Sequence, residues 1–361
     1  MKRFWWILLT LFSLAYALEV RVLLAEAPEG EVALLGAHTV WGPGGVVARA
    51  DASARYAVRL QDGMIWLSGR ALGTRVSLVP KSGGFVLGER TYPGFLRLVV
   101  RGDRILWINV VEIETYLEGV LPGEMPAWFP LEAQKAQAVI ARTYAIEHLG
   151  SDPDYDLCAT ARCQVYLGRT EASPAYRPAI QASRGYLLAY RGRPVKAVYH
   201  ADSGGVTASS REVWGEALPY LVSRPDPYTR ARGWREAPSD AQIAGVLAEF
   251  GVSLGSGVRF RVLRRTESDR IGRLRVEGSQ GMVEFDLPQV TRFLRALGLP
   301  STMAWVEEDG RTFTGRGLGH GVGLSQWGAR GLAQKGYNYR EILGYYYPGT
   351  VLAPYQVKSA R

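Results

Sequence analysis

Residues 130–150 read PLEAQKAQAVIARTYAIEHLG, and this run predicts a single helix between a proline and a glycine. Pro130 suits a first helical position, and Glu132 in the first turn complements the helix dipole. Gly150 is typical of a helix end, so we expect the helix to extend to about His148. The alanines at positions 133, 136, 138 and 141 form a small-residue surface that another element or a ligand can approach closely.

The segment before this helix carries the first candidate for chemistry. A strand-like run at Val110–Tyr116 leads into residues 117–130, where three prolines and two glycines predict an ordered turn. Glu124 lies in that turn beside Met125 and two aromatic residues, an apolar setting that raises a carboxyl pKa and keeps a general acid protonated. A solvated turn glutamate is the alternative that local sequence leaves open.

The remaining patterns predict an α+β protein with more than one unit. Short alternating runs from Glu19 to about Val100, punctuated by Gly and Pro, predict a β-rich domain. From about Pro238 to Ser301 two predicted helices and two predicted strands indicate an inserted α/β subdomain. We therefore expect a β-rich domain at 18–100, a split catalytic domain at 101–237 and 301–361, and the insertion at 238–300.

Composition limits the function classes. The chain has 361 residues, 47% of them hydrophobic, which excludes a disordered tail or a disulfide miniprotein. Lys and Arg total 43 against 34 Asp and Glu, a formal charge of +9 that favours polyanionic partners such as nucleic acid, anionic lipid or an acidic wall polymer.

The first residues predict export. Lys2 and Arg3 precede an apolar run and the triplet Ala15-Tyr-Ala, so residues 1–17 are predicted to form a signal peptide, with an uncleaved membrane anchor as the alternative. We expect no membrane-spanning segment after its removal. An exported basic protein meets envelope polymers before it meets nucleic acid. The usual nucleic-acid-binding motifs are also missing from the sequence, so we expect no nucleic-acid partner.

Cys158 and Cys163, the only cysteines, lie in a polar loop. In an exported protein they first suggest a disulfide. A zinc site would need about two more ligands, from a histidine or from nearby aspartates such as Asp152. A disulfide, free thiols and zinc all remain open on the residues alone.

A glycine-rich segment near the end holds further polar candidates. Glycines alternate from Gly315 to Gly323, which suits a backbone passing close to a ligand, with His320, Ser325 and Gln326 as donors and acceptors. A tightly packed structural turn is an equal alternative. Aromatic residues make up 11% of the chain, and a few of them, including Tyr144, are candidates for stacking on sugar rings.

Four ordered motifs resemble the SpoIID/LytB family of cell-wall proteins, over roughly residues 105–350. They are YLEGVLPGEMP from Tyr116, LEAQKAQAVIARTYA from Leu131, CxxxxCQVY from Cys158 and GHGVGLSQWGA from Gly319. The resemblance implies a lytic transglycosylase that cleaves peptidoglycan glycan strands, with a preference in one branch for strands already stripped of stem peptides.

The resemblance also implies roles for individual residues. Glu124 becomes the catalytic acid, and Lys135 and Arg142, two helical turns apart on one face, match positions that the family needs for activity. We expect both to hold the substrate's lactyl carboxylate or to orient Glu124. The expected substrate-binding set is Lys135, Gln137, Arg142, Tyr144, Ser203, His320, Ser325 and Gln326.

The family implies structural zinc in some members, and the expected ligands here are Cys158, Cys163 and Asp152. Asp152 stands where zinc-binding members tend to have a histidine, so a disulfide remains the rival, and catalysis itself requires no cofactor. A second branch of the family consists of enhancers of an N-acetylmuramyl-L-alanine amidase. A non-catalytic enhancer or wall-binding protein, with an amidase or another wall hydrolase as partner, is therefore the alternative function.

Overall fold

The structure, a computed structural model, describes residues 18–355 and confirms the α+β class. The predicted signal peptide lies outside the described residues, as do residues 356–361. The helices are α1 Ile113–Glu124, α2 Leu131–Glu147, α3 Ser173–Ala182, α4 Ser210–Trp214, α5 Asp240–Glu249, α6 Gln289–Ala296, α7 Gln326–Gln334 and α8 Tyr339–Tyr346.

The first twelve strands build the N-terminal part of the chain. They are β1 Glu19–Ala27, β2 Glu29–Leu34, β3 His38–Gly42, β4 Gly45–Ala50, β5 Ala54–Gln61, β6 Met64–Leu67, β7 Arg70–Gly73, β8 Arg75–Pro80, β9 Phe85–Leu87, β10 Arg90–Tyr92, β11 Phe95–Arg101 and β12 Arg104–Glu112.

The later strands are short and belong to several small sheets. They are β13 Leu157–Cys158, β14 Tyr186–Tyr190, β15 Arg193–Pro194, β16 Tyr199–His200, β17 Val206–Thr207, β18 Arg224–Pro225, β19 Gly233–Glu236, β20 Arg259–Arg265, β21 Ile271–Gly278, β22 Gly281–Asp286, β23 Ala304–Val306, β24 Phe313–Arg316, β25 Leu324–Ser325 and β26 Val351–Pro354.

Two sheets form the β-rich part. One has the order β13-β1-β12-β11-β8-β3-β4 and the other β10-β9-β2-β5-β6-β7, with antiparallel pairs except for β1 and β13. Their buried faces share one core with α1, α2 and α3. The β structure extends to Glu112, beyond the expected end near residue 100, because β12 is central in its sheet and buried along most of its length.

Helix α1 differs from the predicted turn. It begins at Ile113, directly after β12, and includes both glycines and Pro122 before it ends at Glu124. The predicted strand to Tyr116 therefore ends four residues early. A proline within a helix lacks one backbone donor, and that loss is tolerated here because Tyr116, Leu117 and Val120 are buried in the core. The irregular segment is confined to residues 125–130.

Helix α2 is confirmed with nearly the predicted ends. It contacts α1, α3, α7 and α8, so it lies at the centre of the domain that carries the site. Its alanines at positions 133, 136, 138 and 141 have no exposed surface. Other parts of the protein therefore approach the helix closely there, as the sequence predicts. The core shared by α2, α7 and α8 also includes Met125 and Phe129.

The segment expected as an insertion has its own hydrophobic core. Strands β20, β21 and β22 form an antiparallel sheet, and α5 and α6 pack with it around Phe293. The second sheet, β19-β24-β23, adds Phe313 to the same core, so the unit extends to both sides of 238–300. Within residues 18–355, no helix combines the length and apolar character that crossing a membrane requires.

Candidate active site

Glu124 is the last residue of α1, and its carboxyl is held by the loop that follows the cysteine pair. The Val165 NH donates a 2.8 Å hydrogen bond to Glu124 Oε1. The loop can lie directly on α1 because Gly119 and Gly123 share one face of the helix. A Cβ at Gly123 would lie 2.8 Å from Val165 Cγ1, and one at Gly119 would lie 2.6 Å from the Gly168 carbonyl oxygen. The two glycines therefore permit the contact that fixes the carboxyl.

A chain of hydrogen-bonding side chains connects the carboxyl to the protein interior. Burial raises the pKa of Glu124 above the usual glutamate value, and hydrogen bonds from the Val165 NH and the Tyr199 hydroxyl offset part of that rise. Gln164 donates from Nε2 to the Tyr199 hydroxyl oxygen at 3.4 Å and accepts from the Tyr116 hydroxyl at 3.1 Å. Because the Gln164 amide donates to the Tyr199 oxygen, the Tyr199 hydroxyl hydrogen remains available for Glu124.

Glu124 lines a cavity of about 420 Å³, a size typical of ligand sites. It is the one carboxyl group among the described lining residues. Arg162, Lys196 and Arg295 also line the cavity, and no carboxylate oxygen within residues 18–355 lies within 4.0 Å of these three cations. The remaining lining residues are Tyr144, His148, Ala161, Cys163, Val165, Val198, Tyr199, Trp214 and His320. The cavity therefore combines one acid with a cationic wall.

Two of the expected substrate-binding residues, Tyr144 and His320, line this cavity. The Tyr144 ring stacks on His148 with centroids 4.1 Å apart. His320 Nδ1 accepts the Val322 NH at 3.0 Å, and burial, followed by the charge of Arg295, lowers the pKa of His320 to about 4. His320 is therefore neutral at pH 7 and carries its proton on Nε2.

Arg142 and Lys135 lie in ion pairs away from the cavity wall. Arg142 has no exposed surface and donates from Nε and Nη2 to Glu114 at 2.9 and 2.6 Å, which joins α2 to α1. Lys135 Nζ lies 2.6 Å from Glu132, whose other oxygen accepts the Tyr339 NH of α8. Burial rules out direct substrate contact by Arg142 in this geometry. Arg142 can affect the catalytic acid by fixing α1, which ends in that acid.

Four more residues of the expected substrate-binding set lie within the protein rather than on the cavity wall. The side chains of Gln137 and Gln326 approach each other at 3.4 Å, with Gln137 fully buried and Gln326 nearly so. Ser203 Oγ donates to Asp226 at 2.7 Å, and Ser325 caps the N-terminus of α7. Their burial corrects the expectation of direct substrate contact, since these polar groups form hydrogen bonds inside the protein instead.

The structure joins Cys158 and Cys163 in a disulfide, with Cα atoms 5.5 Å apart. Asp152, the third expected zinc ligand, instead pairs with Arg101 at 2.6 Å. Within the described residues no group of three His, Cys, Asp or Glu side chains is arranged to hold a metal ion. The donor set therefore does not fit structural zinc. The disulfide closes the loop that leads to Val165.

Comparison with known proteins identifies the family. The family described as Stage II sporulation protein (SpoIID) matches residues 101–190, and a domain of unknown function (DUF8618) matches residues 227–323. An uncharacterized protein of Brachyspira hyodysenteriae is 33% identical over 278 residues, 75% of either chain. The chain belongs to the SpoIID/LytB family.

Two further relatives of this SpoIID/LytB protein have descriptive names. The amidase enhancer of Bacillus subtilis is 32% identical over 290 residues, which is 66% of this chain and 40% of the enhancer. The stage II sporulation protein D of the same organism is 29% identical over 266 residues, which is 68% of this chain and 76% of that protein. The family and these relatives support a role related to the cell wall.

Several cavity residues of this SpoIID/LytB protein were not predicted. Val165 belongs to the CQVY motif, so its position after the second cysteine was a usable signal. Lys196 and Tyr199 lie in an alternating run that reads as an ordinary strand. Trp214 and Arg295 come from α4 and α6, and nothing in their local sequence indicates that these helices meet at the cavity.

Proposed function

We propose that this protein is a peptidoglycan lytic transglycosylase that cleaves the β-1,4 bond between N-acetylmuramic acid and N-acetylglucosamine. One observation carries the proposal: Glu124, with its pKa raised by burial, faces a cavity whose other charged wall groups are cationic. A carboxyl whose pKa lies above its usual value holds its proton to higher pH, as a general acid requires. A cationic wall suits a glycan that bears lactyl carboxylates, and such carboxylates are free where stem peptides have been removed.

The proposed reaction needs one acid because the substrate supplies the nucleophile. Glu124 gives its proton to the glycosidic oxygen, and the bond from muramic C1 to that oxygen breaks with an oxocarbenium-like transition state. The Glu124 carboxylate then takes the proton of the muramic 6-hydroxyl as O6 bonds to C1. The products are a 1,6-anhydromuramic end and a free 4-hydroxyl, and Glu124 is protonated again. No cofactor enters this balance.

The surrounding residues serve both protonation states. Burial favours neutral Glu124 before the first step, and the Val165 NH and the Tyr199 hydroxyl stabilise the carboxylate between the two steps. Lys196, Arg162 and Arg295 are the groups we assign to the lactyl carboxylate, in place of Lys135 and Arg142. We propose that the protein is exported and acts in the cell envelope, where its substrate lies.

Mass spectrometry of digested peptidoglycan tests the proposal. Intact and amidase-stripped glycan are incubated with the mature protein, with Glu124→Gln, and with Glu118→Gln as the matched control. Glu118 is on the same helix, pairs with Arg177 at 3.1 Å and does not line the cavity. We expect 1,6-anhydro ends from the wild type and the control, and a loss of at least about 100-fold in Glu124→Gln. Full cleavage by a folded Glu124→Gln protein would refute the assignment.

An amidase enhancer is the second candidate, and the 32% identity to the Bacillus subtilis amidase enhancer favours it. In that case the cationic cavity would bind wall glycan without cleaving it, and the partner would be an N-acetylmuramyl-L-alanine amidase or another wall hydrolase. Stimulation of such an amidase that is equal for wild type and Glu124→Gln, with no anhydro products from either, would select this function.

A further inference from the structure

A second cavity of about 610 Å³ adjoins the one that contains Glu124. Both cavities are lined by Trp214 of α4 and Arg295 of α6, so these two side chains lie at the border between them. The second cavity continues along α6, where Gln289 and Arg292 line it. The two cavities share this border and are together called the cleft, with the proposed acid lining one cavity and α6 of the inserted unit lining the other.

The two faces of α6 differ in character. Val290, Phe293 and Leu294 are buried in the core of the inserted unit. Arg292 and Arg295 are spaced three residues apart on the opposite face, where both are exposed. This arrangement points two cations into the cleft while the apolar face fixes the helix.

Neither cation is neutralised by the described part of the chain. Within residues 18–355 no carboxylate oxygen lies within 4.0 Å of Arg292 or Arg295. The Arg292 guanidinium lies over the Phe250 ring, 4.4 Å from its centroid, and this contact leaves its hydrogen-bond donors available around the edge. Two exposed guanidinium groups without acidic partners favour a ligand that carries carboxylates.

Trp214 provides an aromatic surface between the two cavities. Lys196 Nζ lies 5.0 Å from the centroid of the Trp214 ring, and the His320 ring centroid lies 5.4 Å away. These contacts hold the half-buried indole in place at the point where the cleft passes from one cavity to the other. A fixed indole face of this kind suits stacking against a sugar ring.

The inserted unit is tied firmly to the domain that carries Glu124. Arg270 donates to the carbonyl oxygens of Val206 and Ser203, each at 2.9 Å, and is almost fully buried. The Ser268 hydroxyl donates to Glu212 of α4, the helix that ends at Trp214. The position of α6 relative to the first cavity is thus set by buried polar contacts.

We infer that α6 forms an outer subsite for a longer glycan strand, in which Arg292 and Arg295 bind carboxylates of sugar units beyond the bond that is cleaved. This inference rests on the proposed function, since it requires glycan in the Glu124 cavity. The carboxylates come either from lactyl groups of stripped strands or from the stem peptides of intact ones. The inserted unit then makes recognition depend on strand length.

Binding measurements in the Glu124→Gln protein test this inference without cleavage. Calorimetric titration compares peptide-stripped glycan oligosaccharides of four and eight sugars. We expect Arg292→Met to weaken binding of the octasaccharide about three- to tenfold and to leave the tetrasaccharide unchanged. Raising the salt concentration from about 50 mM to 500 mM should reduce the difference, because the contact is exposed.

Matched variants separate charge from packing. Arg292→Lys keeps the charge and should bind the octasaccharide more tightly than Arg292→Met does. Arg261→Met removes an exposed arginine of β20 that lines neither cavity, and it should leave both oligosaccharides unaffected. Gln289→Glu adds a negative charge at an exposed position of α6 and should weaken octasaccharide binding even if Arg292→Met folds poorly. Two further ligands in the same titration identify the source of the carboxylate. One is the stripped octasaccharide with amidated lactyl groups, and the other is the octasaccharide with stem peptides.

Two results would overturn the inference. Equal octasaccharide affinity in the Glu124→Gln parent and in its Arg292→Met and Gln289→Glu variants would show that α6 is not a subsite. In that case, 1,6-anhydro products from the protein with Glu124 intact would leave the proposed function standing. No binding of either oligosaccharide by the parent, together with no cleavage, would refute the inference and the proposed function together.

Discussion

The backbone NH of Val165 donates a 2.8 Å hydrogen bond to Oε1 of Glu124, across a sequence separation of 41 residues. The bond ties the end of α1 to a loop that begins at the Cys158–Cys163 disulfide. The orientation of the proposed acid therefore depends on where this loop lies. Changes to the loop or to the α1 face beneath it should alter activity without touching the carboxyl.

Gly123→Ala tests that dependence. The added Cβ would lie 2.8 Å from Val165 Cγ1 and 2.9 Å from its carbonyl oxygen, so the loop must shift. We expect a loss of about 1–3 kcal/mol in the free energy of unfolding, measured in urea, and a clear fall in kcat. Gly245→Ala on α5 is the control, since nothing lies within 4 Å of its Cβ, and it should gain about 0.5–1 kcal/mol. Unchanged activity in Gly123→Ala would mean that the Val165 contact is dispensable.

Removing the disulfide should loosen the same loop. The chain-entropy model assigns about 2 kcal/mol to closing so short a loop, and we expect the double variant Cys158→Ser/Cys163→Ser to lose about that much stability together with activity. A reducing agent should affect the wild type in the same way and leave the double variant unchanged. If reduction altered neither melting temperature nor turnover, the disulfide would have no role in placing Val165.

Tyr199→Phe should change the pH dependence of activity. A general acid must be protonated, so activity falls as pH rises through the pKa of Glu124. The Tyr199 hydroxyl lowers that pKa by hydrogen bonding to the carboxylate, and its removal should raise the pKa further. The loss of activity should therefore move to higher pH in profiles of kcat/KM. Tyr337→Phe, at an exposed position, should leave the profile in place, and a shift of Tyr199→Phe to lower pH would contradict the assignment.

Arg142→Gln should act through stability. It leaves Glu114 buried without its bidentate partner, which costs about 3–5 kcal/mol in the free energy of unfolding. The double variant Glu114→Gln/Arg142→Gln should lose less than the sum of the two single variants, because no unpaired buried charge remains. Equilibrium unfolding in urea measures both. An Arg142→Gln protein as stable as wild type but inactive would return Arg142 to a direct role with the substrate.

Much of the secondary structure could be predicted because its signals are local. The Pro130 and Gly150 signals delimit α2 to within a few residues, and the two helices predicted between about Pro238 and Ser301 are present as α5 and α6. Helix α1 could not be predicted in this way, since Gly119, Pro122 and Gly123 are all turn-forming residues. Tertiary packing outweighs those preferences, and the glycines serve the contact with Val165.

Only part of the candidate site follows from local sequence. Glu124, Tyr144 and His320 line one cavity, and their roles in catalysis and substrate binding stay predictions. Ser203 and Ser325 belong to equally distinctive segments yet form hydrogen bonds inside the protein. Local sequence cannot separate these cases, because a polar residue in a glycine-rich segment can bind a ligand or complete a buried network.

The sequence by itself determined the α+β class, the central helix α2, the family and the identity of the candidate acid, because each depends on local patterns or on motifs read in order. The tertiary structure decided which charges reach the cavity. Arg142 is buried against Glu114, whereas Arg295, from a unit with its own core, lies beside His320 and Trp214. Burial and charge pairing depend on segments far apart in the chain, so only the packed protein shows which cations remain free to meet a substrate.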